Sequence, residues 1–204
     1  MNYPYPNQTK TENYNYGLDV CEQFFALNNL KFPKVKFANR LRYNSFGIAN
    51  SSNIVTLNMK KCRTPVNNPG FSWSYTGYKA DLTVAGVLAH ECGHIVDFQL
   101  RMKSHQYFKK LKEIAITRPE CEYNECEMLA DAIRLYILNP DLLRLGRPER
   151  YKILSEKLGL KPVITDDWQT VLKNSHEKIR KAAITWIRKN ETNLKFDHID
   201  CSHL

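Results

Sequence analysis

The chain is expected to adopt an α+β fold, with a small N-terminal antiparallel or mixed sheet followed by a mainly helical C-terminal half. Two observations predict this. Between residues 34 and 59 lie short β-branched and aromatic runs, Ile54-Val55-Thr56-Leu57 being the strongest, and such residues suit a pleated, half-buried surface. From about residue 80 onward, apolar residues recur at helical spacing almost without a break, and strands that precede helices make an α+β arrangement rather than alternating βαβ units.

Residues 1–17 are rich in Asn, Tyr and Pro and lack apolar periodicity, the composition of a flexible arm. Residues 18–204 are then a single domain, because 204 residues with 43% hydrophobic and 25% charged side chains can bury one core. Val20, Cys21, Phe24, Phe25 and Leu27 mark a short amphipathic helix over 18–30, closed by Asn28-Asn29 and Pro33. Strands are expected at 34–37, 41–48 and 54–59, with turn chemistry at Asn44-Ser45 and Asn50-Ser51-Ser52-Asn53. Residues 60–78 read as a loop pinned by the Phe71-Ser72-Trp73-Ser74-Tyr75 cluster. Helices follow over 80–101, 104–116, 119–138, 141–159 with a break at Gly146-Arg147-Pro148, and 166–190.

No stretch reaches the ~18 apolar residues of a membrane span, and Met1-Asn2-Tyr3-Pro4-Tyr5-Pro6 lacks the features of an export signal, so a cytoplasmic protein is expected. The six cysteines are accordingly expected to be thiols. Cys121 and Cys126 with His198, Cys201 and His203 form a conceivable second metal site, but their irregular spacing favours free thiols. The net charge of +9 comes from 30 basic and 21 acidic residues. Basic clusters such as Lys109-Lys110-Lys112 and Arg144-Arg147-Arg150-Lys152 recur at helical spacing, which favours solvated helix faces over a nucleic-acid partner.

The chemistry sits in His90-Glu91-Cys92-Gly93-His94, which follows the apolar run Leu82-Thr83-Val84-Ala85-Gly86-Val87-Leu88-Ala89. At about 100° and 1.5 Å per residue, His90 and His94 stand roughly 40° apart around a helix and ~6 Å apart along it, so both imidazoles can reach one cation. Glu91 falls beside them, where its carboxylate can take a proton from water. A buried helix would not accept two imidazoles and a carboxylate without partners.

The candidates for a third donor are Asp97, Glu122, Glu125, Glu127 and Asp131. Asp97 shares the histidine face, but its axial rise of ~10 Å from His90 is too great for one helix to bring all three to a metal. On the 119–138 helix, Glu127, Asp131 and Arg134 form one polar stripe on an apolar rod, with Glu125 on the opposite side. Glu127 is therefore the preferred ligand, and Asp131 is placed to orient a histidine through its second ring nitrogen. The competing reading is an internal ion pair of Arg134 with Asp131 or Glu127.

With His90, Glu91 and His94 on one helix and Glu127 and Asp131 as E-x-x-x-D on the next, the chain resembles the gluzincin zinc metallopeptidases over about residues 30–145. The stretch from Ala130 to Pro140 is also similar to uncharacterised metallopeptidases of phages and mobile elements. The resemblance implies a zincin-like fold, Zn²⁺ held by His90, His94 and Glu127, Glu91 as general base, and a protein or peptide substrate paired to an edge strand at 54–59. Tyr75, Tyr78, Tyr107, Tyr136, His105 and His176 are candidate donors to the oxyanion. The rival functions are a zincin-like regulatory or DNA-associated binding protein without catalysis, and a DNA-associated SprT-like peptidase, whose usual zinc ribbon has no counterpart here.

Overall fold

The computed structural model describes residues 8–64, 81–100, 107, 125–140, 143–144 and 148–163. Helix α1 spans Lys10–Leu27 and so begins eight residues before the sequence expectation. A reciprocal cap starts it. The Glu12 backbone N–H donates to the Thr9 hydroxyl at 3.2 Å, and the Thr9 N–H donates to the Glu12 carboxylate at 2.7 Å. Residues 10–17 are therefore helix and not arm; residues 1–7 lie outside the described residues. The inward stripe of α1 opens with Asn13 and Gly17 before reaching Val20, Cys21, Phe24 and Phe25, which is why no apolar period marks its first turns.

Three strands follow, β1 (Lys34–Phe37), β2 (Gly47–Asn50) and β3 (Ile54–Leu57), in the order β1-β3-β2. The sheet is mixed. Strand β3 pairs in parallel with β1, Lys34 opposite Ile54, and antiparallel with β2, Gly47 opposite Leu57. The strand expected over 41–48 is replaced by a 3₁₀ turn at Arg42–Asn44 and a later, shorter strand. Asn44 has a left-handed φ of 55°, which ends extended structure there, and Asn53, at 60°, closes the β2–β3 hairpin. The strand expected at the sheet edge, β3, is thus its centre.

Helix α2 (Val84–Gln99) is the hub, packed on α1, α3 (Glu125–Leu138), β2 and β3. Contact on several sides explains its nearly continuous apolar sequence. Its first turn is capped from two sides: Gly86 donates to the Thr83 hydroxyl at 3.1 Å and Ala85 to the Asn13 side chain on α1 at 2.8 Å. Leu88, Ile95, Leu129, Ile133, Phe24 and Phe25 are fully enclosed around it. Helix α4 (Pro148–Lys152) runs into a π turn at Ile153–Lys157. The Tyr136 hydroxyl donates to the Leu160 carbonyl at 2.9 Å, and Asn28 exchanges two hydrogen bonds with Lys161, joining this segment to α1 and α3. The helices expected at 104–116 and 166–190 lie outside the described residues, Tyr107 excepted. No described helix is long and apolar enough to cross a membrane.

Two glycines set the helix spacing. A Cβ on Gly17 would stand 2.7 Å from the Ala85 Cα, and one on Gly93 would stand 2.7 Å from the Ala130 Cα and 2.9 Å from its carbonyl oxygen. Backbone cannot yield locally as a side chain can. Gly93→Ala is therefore expected to destabilise the fold by about 1–3 kcal/mol, the usual range for overpacking, measured by urea unfolding. A wild-type value would show that α2 and α3 have slack at this crossing.

Candidate metal centre

The Gly93–Ala130 crossing brings the polar stripe of α3 against the histidine face of α2. His90 and His94 stand on successive turns of α2 with their rings edge to face, 4.9 Å between centroids. Glu127 bridges them: one carboxylate oxygen lies 3.1 Å from His90 Nε2 and the other 3.3 Å from His94 Nε2. Each of the three residues thus offers a donor atom within 4.8 Å of the other two, close enough that they could share a metal ion. They are the one His/Cys/Asp/Glu group among the described residues with metal-binding proximity.

Asp131, one turn after Glu127, accepts from His90 Nδ1 at 2.9 Å. A carboxylate can only accept, so this contact places a proton on Nδ1 and turns Nε2 towards the cation position. Arg134 Nε lies 3.4 Å from the same Asp131 oxygen, and Arg134 Nη1 lies 4.0 Å from Asp81. Asp81 in turn accepts from the Thr83 N–H at 3.0 Å, at the start of α2. The ion pair and the histidine-orienting role, rival readings in the sequence, therefore coexist in one buried chain of contacts. Asp97 is buried but does not line the cleft.

Glu91 is 7% exposed and is not one of the three donors. It lies under β2. A Cβ at residue 47 would stand 2.7–2.8 Å from the Glu91 side chain, so any residue but glycine there would force Glu91 to shift. Burial pushes the Glu91 pKa up, against the opposing pull of His90, His94 and a hydrogen bond from the Ala49 backbone. Hydrogen bonds with His90 and His94 hold Glu127 far below the usual carboxylate range. Burial opposes charge on His90, yet its bonds to Asp131 and Glu127 outweigh that and lift its pKa to about 9. Without a metal, the site takes a proton.

All these groups open into one cleft of about 450 Å³. Phe46, Gly47, Ile48 and Ala49 form one wall, His90, Glu91 and His94 the floor, and Phe98 one end. Sequence reasoning missed Gly47, Ala49, Phe98 and Asp81. An isolated glycine within an expected strand was the available signal for Gly47, since it marks close backbone approach. Tyr136 is not an oxyanion donor, because its hydroxyl is committed to Leu160 in the core. Tyr107 packs against the core, and Tyr75, Tyr78, His105 and His176 lie outside the described residues, as do Glu122 and the Glu125 side chain. Cys21, Cys62 and Cys92 are buried free thiols; Cys121, His198, Cys201 and His203 lie outside the described residues.

A folded-state His90 pKa of about 9, above its ordinary 6.5, adds stability that is complete below pH ~6.5 and lost as the pH rises through about 9. The metal-free protein should lose on the order of 3 kcal/mol over this window, and His90→Gln should flatten the slope. Urea unfolding in chelator between pH 6 and 10 measures both. A wild-type stability that is level or rising across the window would refute the assigned charge state.

No protein-family model, curated protein or solved structure matches this chain, and the chemistry of the site has to be read from its own geometry.

Proposed function

We propose that the chain is a metal-dependent peptidase, with His90, His94 and Glu127 as the metal ligands and Glu91 as the general base. One observation carries this reading: a His-His-Glu group close enough together to hold a metal shares a cleft with a buried carboxylate outside that group. A structural zinc site is ordinarily closed by a fourth protein donor. Among the described residues, only three donors come together here, and they line a cleft of about 450 Å³.

Two imidazoles and a carboxylate suit Zn²⁺, which when bound supplies Lewis acidity that polarises a carbonyl and makes water a readier proton donor. The protein's own groups do the rest. Asp131 fixes the His90 ring so that Nε2 presents its lone pair. Glu91, its pKa raised by burial, accepts a proton from the attacking water on its carboxylate and delivers it to the leaving amine. The Ala49 backbone, hydrogen-bonded to Glu91, holds the base against the cleft wall.

Substrate pairing falls to β2 rather than to the 54–59 strand, because β3 is hydrogen-bonded on both sides. Of the two sheet edges among the described residues, β1 carries Lys34 and Lys36, both exposed, a common guard against strand addition. Strand β2, Gly47-Ile48-Ala49-Asn50, has no charge and forms the cleft wall. An extended peptide added to it would lie over Glu91.

Glu91→Gln tests the catalytic role, because the amide keeps the packing but cannot accept the proton. Zinc stoichiometry should stay at that of wild type while hydrolysis of a denatured protein falls about 10²-fold or more. Full zinc with undiminished turnover would end the general-base assignment and leave only the metal site.

A further inference from the structure

The charge of the protein is segregated by layer. From residue 23 to residue 80 there is no Asp or Glu, while Lys31, Lys34, Lys36, Arg40, Arg42, Lys60, Lys61, Arg63 and Lys79 all fall there. These nine account for the entire net charge of +9, since the remainder holds 21 basic and 21 acidic residues. The segment includes the sheet that walls the metal cleft.

Part of this charge is gathered into a cavity. A hollow of about 410 Å³ is lined by Arg40, Lys60 and Lys61 together with Asn39, Asn44 and Asn58. It adjoins the metal cleft, because Asn44 lines the first and Ser45 and Phe46 line the second. The Lys61 ammonium stands 4.7 Å above the Phe46 ring and donates to the Asn44 carbonyl, which fixes one positive charge at the boundary. Arg40 and Lys60 are exposed. The metal cleft mixes Glu91, Glu127 and Asp131 with Arg134 and the two histidines, whereas the adjoining hollow is lined by Arg40, Lys60 and Lys61 with no carboxylate, so the hollow is the better place for an acidic ligand group.

The direction of β2 turns this into a statement about substrate. The hollow is built from residues that precede Gly47 or follow β3, and it therefore lies beyond the N-terminal end of β2. A peptide added antiparallel to β2, the more stable pairing, runs with its C-terminal side towards that end. We infer that the proposed peptidase acts on acidic polypeptide segments, with Asp or Glu on the C-terminal side of the cleaved bond seated against Arg40, Lys60 and Lys61. This rests on the peptidase reading above. A hollow of this size admits a side chain or two, and its position in line with an open strand edge favours a peptide over a nucleic-acid backbone.

The test has a cleavage arm and a binding arm. In the first, zinc-loaded protein digests a mixed peptide library and the cut sites are read by mass spectrometry. Asp or Glu within roughly five residues on the C-terminal side should be enriched at least 10-fold over the N-terminal side. Arg40→Gln with Lys60→Gln should bring that ratio near 1 without lowering the melting temperature, whereas Lys34→Gln with Lys36→Gln on the other edge should preserve it. In the second arm, Glu91→Gln protein is titrated with a Glu-rich peptide, its Gln-substituted twin and a single-stranded DNA of equal charge. The Glu-rich peptide should bind at least 10-fold tighter than its twin, with an advantage that shrinks at 0.5 M salt, the behaviour of screened charges. Cleavage without acidic enrichment overturns the inference and leaves the peptidase reading standing. Absence of cleavage with the binding preference intact sinks the peptidase reading and retains the acidic-peptide surface. DNA binding as tight as that of the Glu-rich peptide overturns the inference in favour of a nucleic-acid surface.

Discussion

The polar centre depends on how closely α2 and α3 approach at Gly93 and Ala130. Helices ordinarily pack with axes 8–10 Å apart, set by the side chains at the crossing. With no side chain at Gly93 and a methyl at Ala130, the backbones meet directly. Residues at i and i+4 on one helix then face residues at i and i+4 on the other, His90 and His94 against Glu127 and Asp131. A larger residue at either small position would separate two pairs whose contacts are only 2.9–3.3 Å long.

That geometry has an electrostatic consequence. Glu91, Glu127 and Asp131 crowd around the histidines in an environment that penalises unpaired charge. Arg134, itself 7% exposed, is the cation supplied by the fold on the Asp131 side. On the other side His90 supplies balancing charge, because its bonds to Asp131 and Glu127 drive it towards protonation. Under the proposed metal-dependent reading, a proton and a metal would compete for the same His90 nitrogen.

Much of the site was legible in the sequence because helical geometry is local. A rotation of 100° per residue was enough to put Glu127, Asp131 and Arg134 on one stripe and to assign Asp131 to a histidine, and the structure brings those groups together. Strand order was not legible. Three short strands can be arranged several ways, and nothing in Ile54-Val55-Thr56-Leu57 says that both of its sides are taken. The start of α1 was hidden because Asn13 and Gly17 sit on its buried face, Asn13 there to cap α2. The charge asymmetry was missed for another reason: runs of like charge draw the eye, whereas 58 consecutive residues without a carboxylate do not.

The packing of Gly47 on Glu91 ties two positions 44 residues apart into one unit of variation. A side chain at 47 would have to displace the Glu91 carboxylate, which reaches under the strand at that point. The two positions are therefore coupled: a smaller residue at 91 would open the space that keeps 47 a glycine, whereas a side chain at 47 with Glu91 in place would have to move it.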